Sequence, residues 1–197
     1  MEAEPDRADP QPPPSNPDPS PTHLDQILDE VLVGGRERRP IVIVDYDPAW
    51  PARFELERDR IQHALGDLTH RIEHIGSTSV PGLAAKPIVD LLVTVKDPGD
   101  ESIRAAMEAA GYELRVREPD HRMFRTPERD VQVHIWPDSH AEVARYLRFR
   151  DRLRESPDDR LAYERLKRKL ASRDWPDTNY FAEAKGELIE AIIARAR

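Results

Sequence analysis

Residues 71–95 limit the fold more than any other part of the chain. An apolar run from Arg71 to Ile75 stops at Gly76-Ser77, crosses a loop of small residues and proline, and resumes as a second run from Ile88 to Val95. Short runs rich in Ile, Val and Leu, bounded by Gly and Pro, predict two strands joined by a tight loop. Gly has no side chain, so a Gly-Ser turn lets backbone N–H groups approach an anion closely. Asp90, at the loop-proximal end of the second strand, is placed to hold a metal ion beside that anion. The stretch 73–90 therefore points to a phosphate-and-metal site.

The remaining elements follow from periodicity. Residues 1–21 are low-complexity, with Pro among Asp, Ser and Asn; they bury too little apolar surface to order, and disorder is expected. Leu24, Ile27, Leu28, Val31 and Leu32 share one face of a short helix, capped by Thr22 with Asp25 three residues on and stopped by Gly34-Gly35. Its apolar stripe has to be covered, either by this chain or by a protein partner. Residues 36–40 read as a linker, and 41–197 as the folded domain. Ile41 to Val44 reads as a strand. A helix with Pro48 and Pro51 at its start buries Trp50, Phe54, Ile61 and Leu65 and closes at Gly66. A helix over 102–110 stops at Gly111, strands fit 112–117, 122–126 and 130–136, and helices fit 141–154, 158–172 and 179 onward. The last carries Phe181, Ala184, Leu188 and Ile192 on one face. Strands and helices in this order predict an α+β domain around a mixed sheet of four to six strands.

Composition narrows the function. The net charge of −8 argues against duplex nucleic acid as a partner. Arg145, Arg148, Arg150, Arg152, Arg154, Arg160, Arg165, Lys167, Arg168 and Lys169 crowd one region, which reads as a solvated helix surface with acidic neighbours. Cysteine is absent, which removes disulfides, thiolate nucleophiles and Cys-based zinc sites. No apolar run spans a bilayer, and the acidic, Pro-rich N-terminus lacks the pattern of a secretory signal. A cytoplasmic location follows by default.

The chemistry is expected to gather around Asp90. Alternation puts Asp90, Leu92 and Thr94 on one face of their strand, and Gln132 and His134 on one face of another. If the two strands are neighbours, Gln132 and His134 join Asp90 around a ligand, with Asp90 and His134 as catalytic groups and as ligands to a divalent Mg or Mn ion. Imidazole with one carboxylate suits Mn or Zn better than Mg, which prefers all-oxygen ligation. Gly76, Ser77, Thr78, Ser79 and Lys86 are the candidate phosphate contacts. Glu73 and His74 precede the turn, and whichever faces inward needs a polar partner. Arg122 adds an anion contact. Asp130 reads as a turn residue, and Tyr180 and Lys185 as surface residues. Two-metal phosphoryl transfer calls for a second carboxylate at Asp-x-Asp spacing, and Leu92 cannot supply it. Histidines at 70, 74, 121, 134 and 140 lack ligand spacing for a hydrolytic metal site.

The run Glu73-His-Ile-Gly-Ser-Thr-Ser-Val-Pro-Gly-Leu83, followed by Ala85-Lys-Pro-Ile88 and Asp90, resembles the signature of the GrpB family of bacterial proteins. Tyr46, Pro48, Trp50 and Phe54, and later Arg150-Asp151-Arg152-Leu153-Arg154, Tyr163, Lys167, Tyr180 and Lys185, extend the resemblance over roughly 41–195. It implies a nucleotidyltransferase-like fold, a Gly-Ser phosphate contact at Gly76 and Ser77, an acidic metal ligand at Asp90, and a nucleotide or other phosphate ester as ligand. It also implies a His-x-His near the last strand, where this chain has Gln132 and His134. With Leu92 at the second acidic position, two functions follow as expectations. One is nucleotide binding with nucleotidyl transfer. The other is a non-catalytic binding or chaperone-like domain on the same fold.

Overall fold

The computed structural model describes residues 22–196. The tail over 1–21, expected to be disordered, lies outside the described residues. Five strands form one mixed sheet: β1 (Thr69–Ile75), β2 (Val89–Val95), β3 (Glu113–Glu118), β4 (His121–Arg125) and β5 (Val131–Pro137), in the order β1-β2-β5-β4-β3. β2 and β5 run parallel at the centre, and every other neighbouring pair is antiparallel. The parallel pair requires a crossover, which α3 (Glu101–Ala109) and the β3–β4 hairpin provide.

Alternation along the two central strands sorts their side chains. Val89, Leu91, Val93 and Val95 of β2, with Val131, Val133 and Ile135 of β5, enter the main core. That core is covered by Trp50, Ile61 and Leu65 of α2 (Trp50–Leu65) and by Ile103 and Met107 of α3. Asp90, Leu92, Gln132, His134 and Trp136 take the opposite face. α2 closes on Gly66 at φ 53. α3 starts at Asp100, whose side chain accepts from Ser102 N, and ends in a Schellman motif: Tyr112 N donates to Met107 O at 3.0 Å and Gly111 N to Glu108 O at 2.9 Å.

The second face is covered by C-terminal helices, α4 (Ala141–Glu155), α5 (Pro157–Ala171), α6 (Thr178–Glu183) and α7 (Gly186–Ala194). Val143 of α4 packs on Ile75, Leu92 and Trp136. Leu153, Tyr163 and Ile192 enclose Val80 and Leu83 of the loop after β1. α1 (His23–Val31) has the expected capping box between Thr22 and Asp25 and docks on its own chain. Leu28 is buried, Val33 N donates to Arg115 O at 2.9 Å, and the Thr22 and Tyr180 hydroxyls lie 2.8 Å apart. Glu37, in the segment that follows, accepts from Arg125 at 2.8 and 3.0 Å.

Two expected elements differ. Ile41 to Val44 is not a strand; it makes a single bridge between Val44 and Ala85. Both edges of β2 are already paired, and Ile41 instead packs on Leu170 and Phe181. The last helix is two helices, interrupted at Ala184-Lys185. Among the described residues no helix is long and apolar enough to cross a membrane.

Candidate functional site

A hollow of about 480 Å³ opens where the Gly-Ser turn, the N-terminal ends of β2 and β5, and helices α4 to α7 meet. Its lining includes Gly76, Ser77, Lys86, Asp90, Gln132 and His134, and from the helices Tyr146, Tyr163, Lys167, Phe181 and Lys185. The parallel register pairs Asp90 with Gln132 and Leu92 with His134, which brings the two strands' polar residues to one place. A second hollow of about 590 Å³ adjoins it and shares Leu28, Lys86, Gln132 and His134.

Gly76 has φ 68, a conformation that suits glycine. A Cβ there would lie 2.2 Å from Asp90 Oδ2, so the turn backbone and the carboxylate are in direct contact. Asp90 lies deep in the protein yet keeps part of its surface open to the hollow. Burial raises its pKa to about 6, against the pull of Lys86, Lys185 and Lys167.

Three lysines arrive from three elements and alternate with aromatic rings. The ammonium groups of Lys86 and Lys185 lie 5.5 and 4.6 Å from the Phe181 ring centroid, and those of Lys167 and Lys185 lie 4.9 and 6.0 Å from that of Tyr163. Lys167 Nζ donates to Ser77 Oγ at 2.9 Å and also to Ala84 O, which ties α5 to the turn. The ammonium groups of Lys86 and Lys185 have no hydrogen bond or ion pair among the described residues, so ring faces are their chief partners. Burial lowers Lys167 to about 7 and Lys185 to about 8, and lowers Lys86 as well.

His134 is the inner member of a side-chain chain. Glu118 Oε2 lies 2.6 Å from His121 Nδ1, and His121 Nε2 lies 3.2 Å from His134 Nδ1. The imidazole planes are within 3° and their centroids 5.4 Å apart, the geometry of coplanar rings joined edge to edge by that nitrogen contact. Trp136 stacks on His121 at 4.2 Å and holds its ring in place. If His121 keeps Nδ1–H toward Glu118, its Nε2 accepts from His134 Nδ1–H, and His134 Nε2 is left with a free lone pair. Burial lowers His134 to about 3, so it is a neutral imidazole at neutral pH.

The structure brings together Gly76, Ser77, Lys86, Asp90, Gln132 and His134, and turns the other expected residues to different tasks. Thr78 is buried and donates to Ile88 O at 3.1 Å, with His74 Nε2 at 3.1 Å. Ser79 Oγ donates to Gly76 O at 2.6 Å, bracing the turn from inside. His74 faces the main core and stacks on Phe54 at 4.7 Å, and burial lowers it to about 4. Glu73 accepts from Arg150 at 2.7 Å, and Arg150 also reaches His74 O at 3.1 Å. Arg122 is spent on the carbonyls of Glu118 and His121, away from the anion site. Asp130 accepts from Thr126 Oγ1 at 2.7 Å, as a turn residue should. Conversely, Lys185 is not a surface residue but lines the hollow, and Lys167 is only 2% exposed.

The donor set offers no cage of protein ligands for a divalent ion. Among the described residues no group of three or more Asp, Glu or His is placed to hold one. Asp90 and His134 are the pair the sequence offered. The position for a second carboxylate is Leu92, fully buried against Ile75, Trp136 and Val143. Ammonium groups, not carboxylates, surround Asp90.

A family model described as "GrpB protein" matches residues 40–195. A UPF0157 protein of Streptomyces coelicolor is 51% identical over 166 residues, covering 84% of this chain and 89% of that protein. The fold is similar to the crystal structure of the conserved protein GrpB from Enterococcus faecalis, at TM-score 0.70 and 35% identity, over 79% of this chain and 96% of that one. The GLD-2/RNP-8 complex is a remoter structural likeness, at TM-score 0.48 and 13% identity, over 76% of this chain and 60% of that one.

Proposed function

The chain belongs to the GrpB family, and from that premise we propose that it binds a nucleotide or another phosphate ester in the lysine-lined hollow. One observation carries the reading: Lys86, Lys167 and Lys185 converge with the Gly76-Ser77 turn on a single hollow, and none of the three ammonium groups forms an ion pair with a carboxylate among the described residues. Unpaired buried ammonium groups are costly, and a phosphate would supply the missing counterions. The hollow's volume falls in the usual range for small-molecule sites.

Binding is favoured over two-metal nucleotidyl transfer. Leu92 stands in a closed apolar cluster, where a metal-bridging carboxylate would have to be. Should a hydroxyl-bearing acceptor enter, Asp90, raised to about 6, is the stronger base lining the hollow, and His134, lowered to about 3, is the weaker one. The test is thermal denaturation of the full chain with a panel of nucleoside mono-, di- and triphosphates. A ligand at ~100 times its dissociation constant adds about 2.7 kcal/mol. For a chain of this size that is a rise of about 5–10 °C. No rise with any member of the panel would defeat the proposal.

A further inference from the structure

We propose that the hollow holds the polyphosphate end of its ligand on lysine ammonium groups alone, with no divalent cation between protein and phosphate. This rests on the phosphate-ester reading above and states how the anion is held. Lys86 comes from the loop before β2, Lys167 from α5 and Lys185 from the break between α6 and α7. Phe181 and Tyr163 sit between them, each ring shared by two ammonium groups. Cation–π contact lets like charges gather where little water reaches them, but it does not neutralise them. Asp90 acts on Lys86 and Lys185, and Lys167 also feels Glu164, so three ammonium groups face two carboxylates and the cluster keeps an excess of positive charge.

A site that works through Mg²⁺ has the reverse balance, with carboxylates that attract the ion and leave it to draw in the phosphates. Here a divalent ion on Asp90 would face three ammonium groups, whereas a polyphosphate chain would meet the same groups as its counterions. Lys167 also donates to Ser77 at 2.9 Å, which makes the Gly-Ser turn part of the same anion site. The lowered pKa values of Lys167 and Lys185 agree with a cluster short of negative charge.

The two ways of holding phosphate differ in sign at Asp90. On lysines alone, Asp90 repels the anion and competes for its cations; under a bridging metal, Asp90 is the anchor. The experiment is calorimetric titration of the full chain with sodium tripolyphosphate at neutral pH, in EDTA and then in excess Mg²⁺, for the natural protein, Asp90→Asn and Lys185→Ala. Tripolyphosphate is expected to bind in EDTA, to bind no tighter with Mg²⁺, to bind about threefold tighter or more to Asp90→Asn, and about tenfold weaker to Lys185→Ala. If Lys185→Ala does not fold, Lys86→Ala, a change in a loop, carries the same expectation. Binding that needs Mg²⁺ and is abolished by Asp90→Asn would overturn this inference and leave the phosphate-ester reading standing. Binding in EDTA that none of the lysine substitutions weakens would overturn it too. No binding in either buffer would overturn this inference, and the phosphate-ester reading would then stand or fall with the nucleotide panel.

Discussion

The two faces of the central strands teach different lessons from the same residues. On one face, Val89, Leu91, Val93, Val131, Val133 and Ile135 are 0–2% exposed and meet only apolar neighbours from α2 and α3. On the other, one residue along each strand, Asp90, Gln132 and His134 open onto a hollow ringed by cations. The first face is closed and sets the fold; the second is apolar only at its far end, where Leu92 and Trp136 lie under α4. A strand's alternation thus separates stability from chemistry within a span of seven residues.

Substitutions on the two faces should behave oppositely. Phe124, fully buried in the main core, has the largest expected effect. Phe124→Ala should cost about 3–5 kcal/mol, lowering the melting temperature by about 6–20 °C, while the folded fraction keeps its tripolyphosphate affinity. Equal loss of affinity per folded molecule would show that the faces are coupled. Arg150 tests the covered part of the second face, because it binds both Glu73 and the His74 carbonyl. Arg150→Ala should cost about 1–3 kcal/mol in urea denaturation, by removing one of the two arginine partners of half-buried Glu73 and leaving Arg71 as the other; Glu73→Ala in the same chain should return part of that.

The smallest effect is on the hollow itself, and its sign is the informative part. Folding lowers Lys167 to about 7 and Lys185 to about 8 from an ordinary 10.5, so between those values the unfolded chain binds more protons than the folded one. Stability from these groups therefore rises as pH rises from about 7 toward 10, and their cost is fully present below about 7. Lys185→Met should raise the melting temperature at neutral pH, by about 1–2 kcal/mol of stability, and flatten the rise that calorimetry records for the natural protein. A fall at neutral pH would mean that Lys185 is a structural cation and not a binding group.

Most of the fold is legible in the sequence, because the central strands are short apolar runs and most helices have a readable start or stop, such as Thr22 before α1 and Gly111 after α3. Asp90, Gln132 and His134 could be placed on common faces by alternation alone, and the parallel pairing of β2 with β5 then unites them. Lys167 and Lys185 were not legible. Lys167 sits in a helix among several Arg and Lys residues that do face solvent, and only tertiary packing turns it inward. Lys185 depends on the interruption between α6 and α7, for which Gly186 was the available signal. Ile41 to Val44 has strand chemistry, but it lies beside the loop before β2, where it makes one bridge to Ala85 and packs on Leu170 and Phe181. The roles of Thr78 and Ser79 in bracing the turn are likewise set by contacts across the loop, not by residue type.

The abutment of Gly76 on Asp90 makes the residue allowed at one position depend on the residue kept at another. A methyl group at 76 would occupy the space of the carboxylate, and the positive φ disfavours it even if that space were cleared. Drift at position 76 is thereby restrained by the acid at 90, and a lineage that gave up that acid would loosen one of the two restraints on the glycine and keep the other.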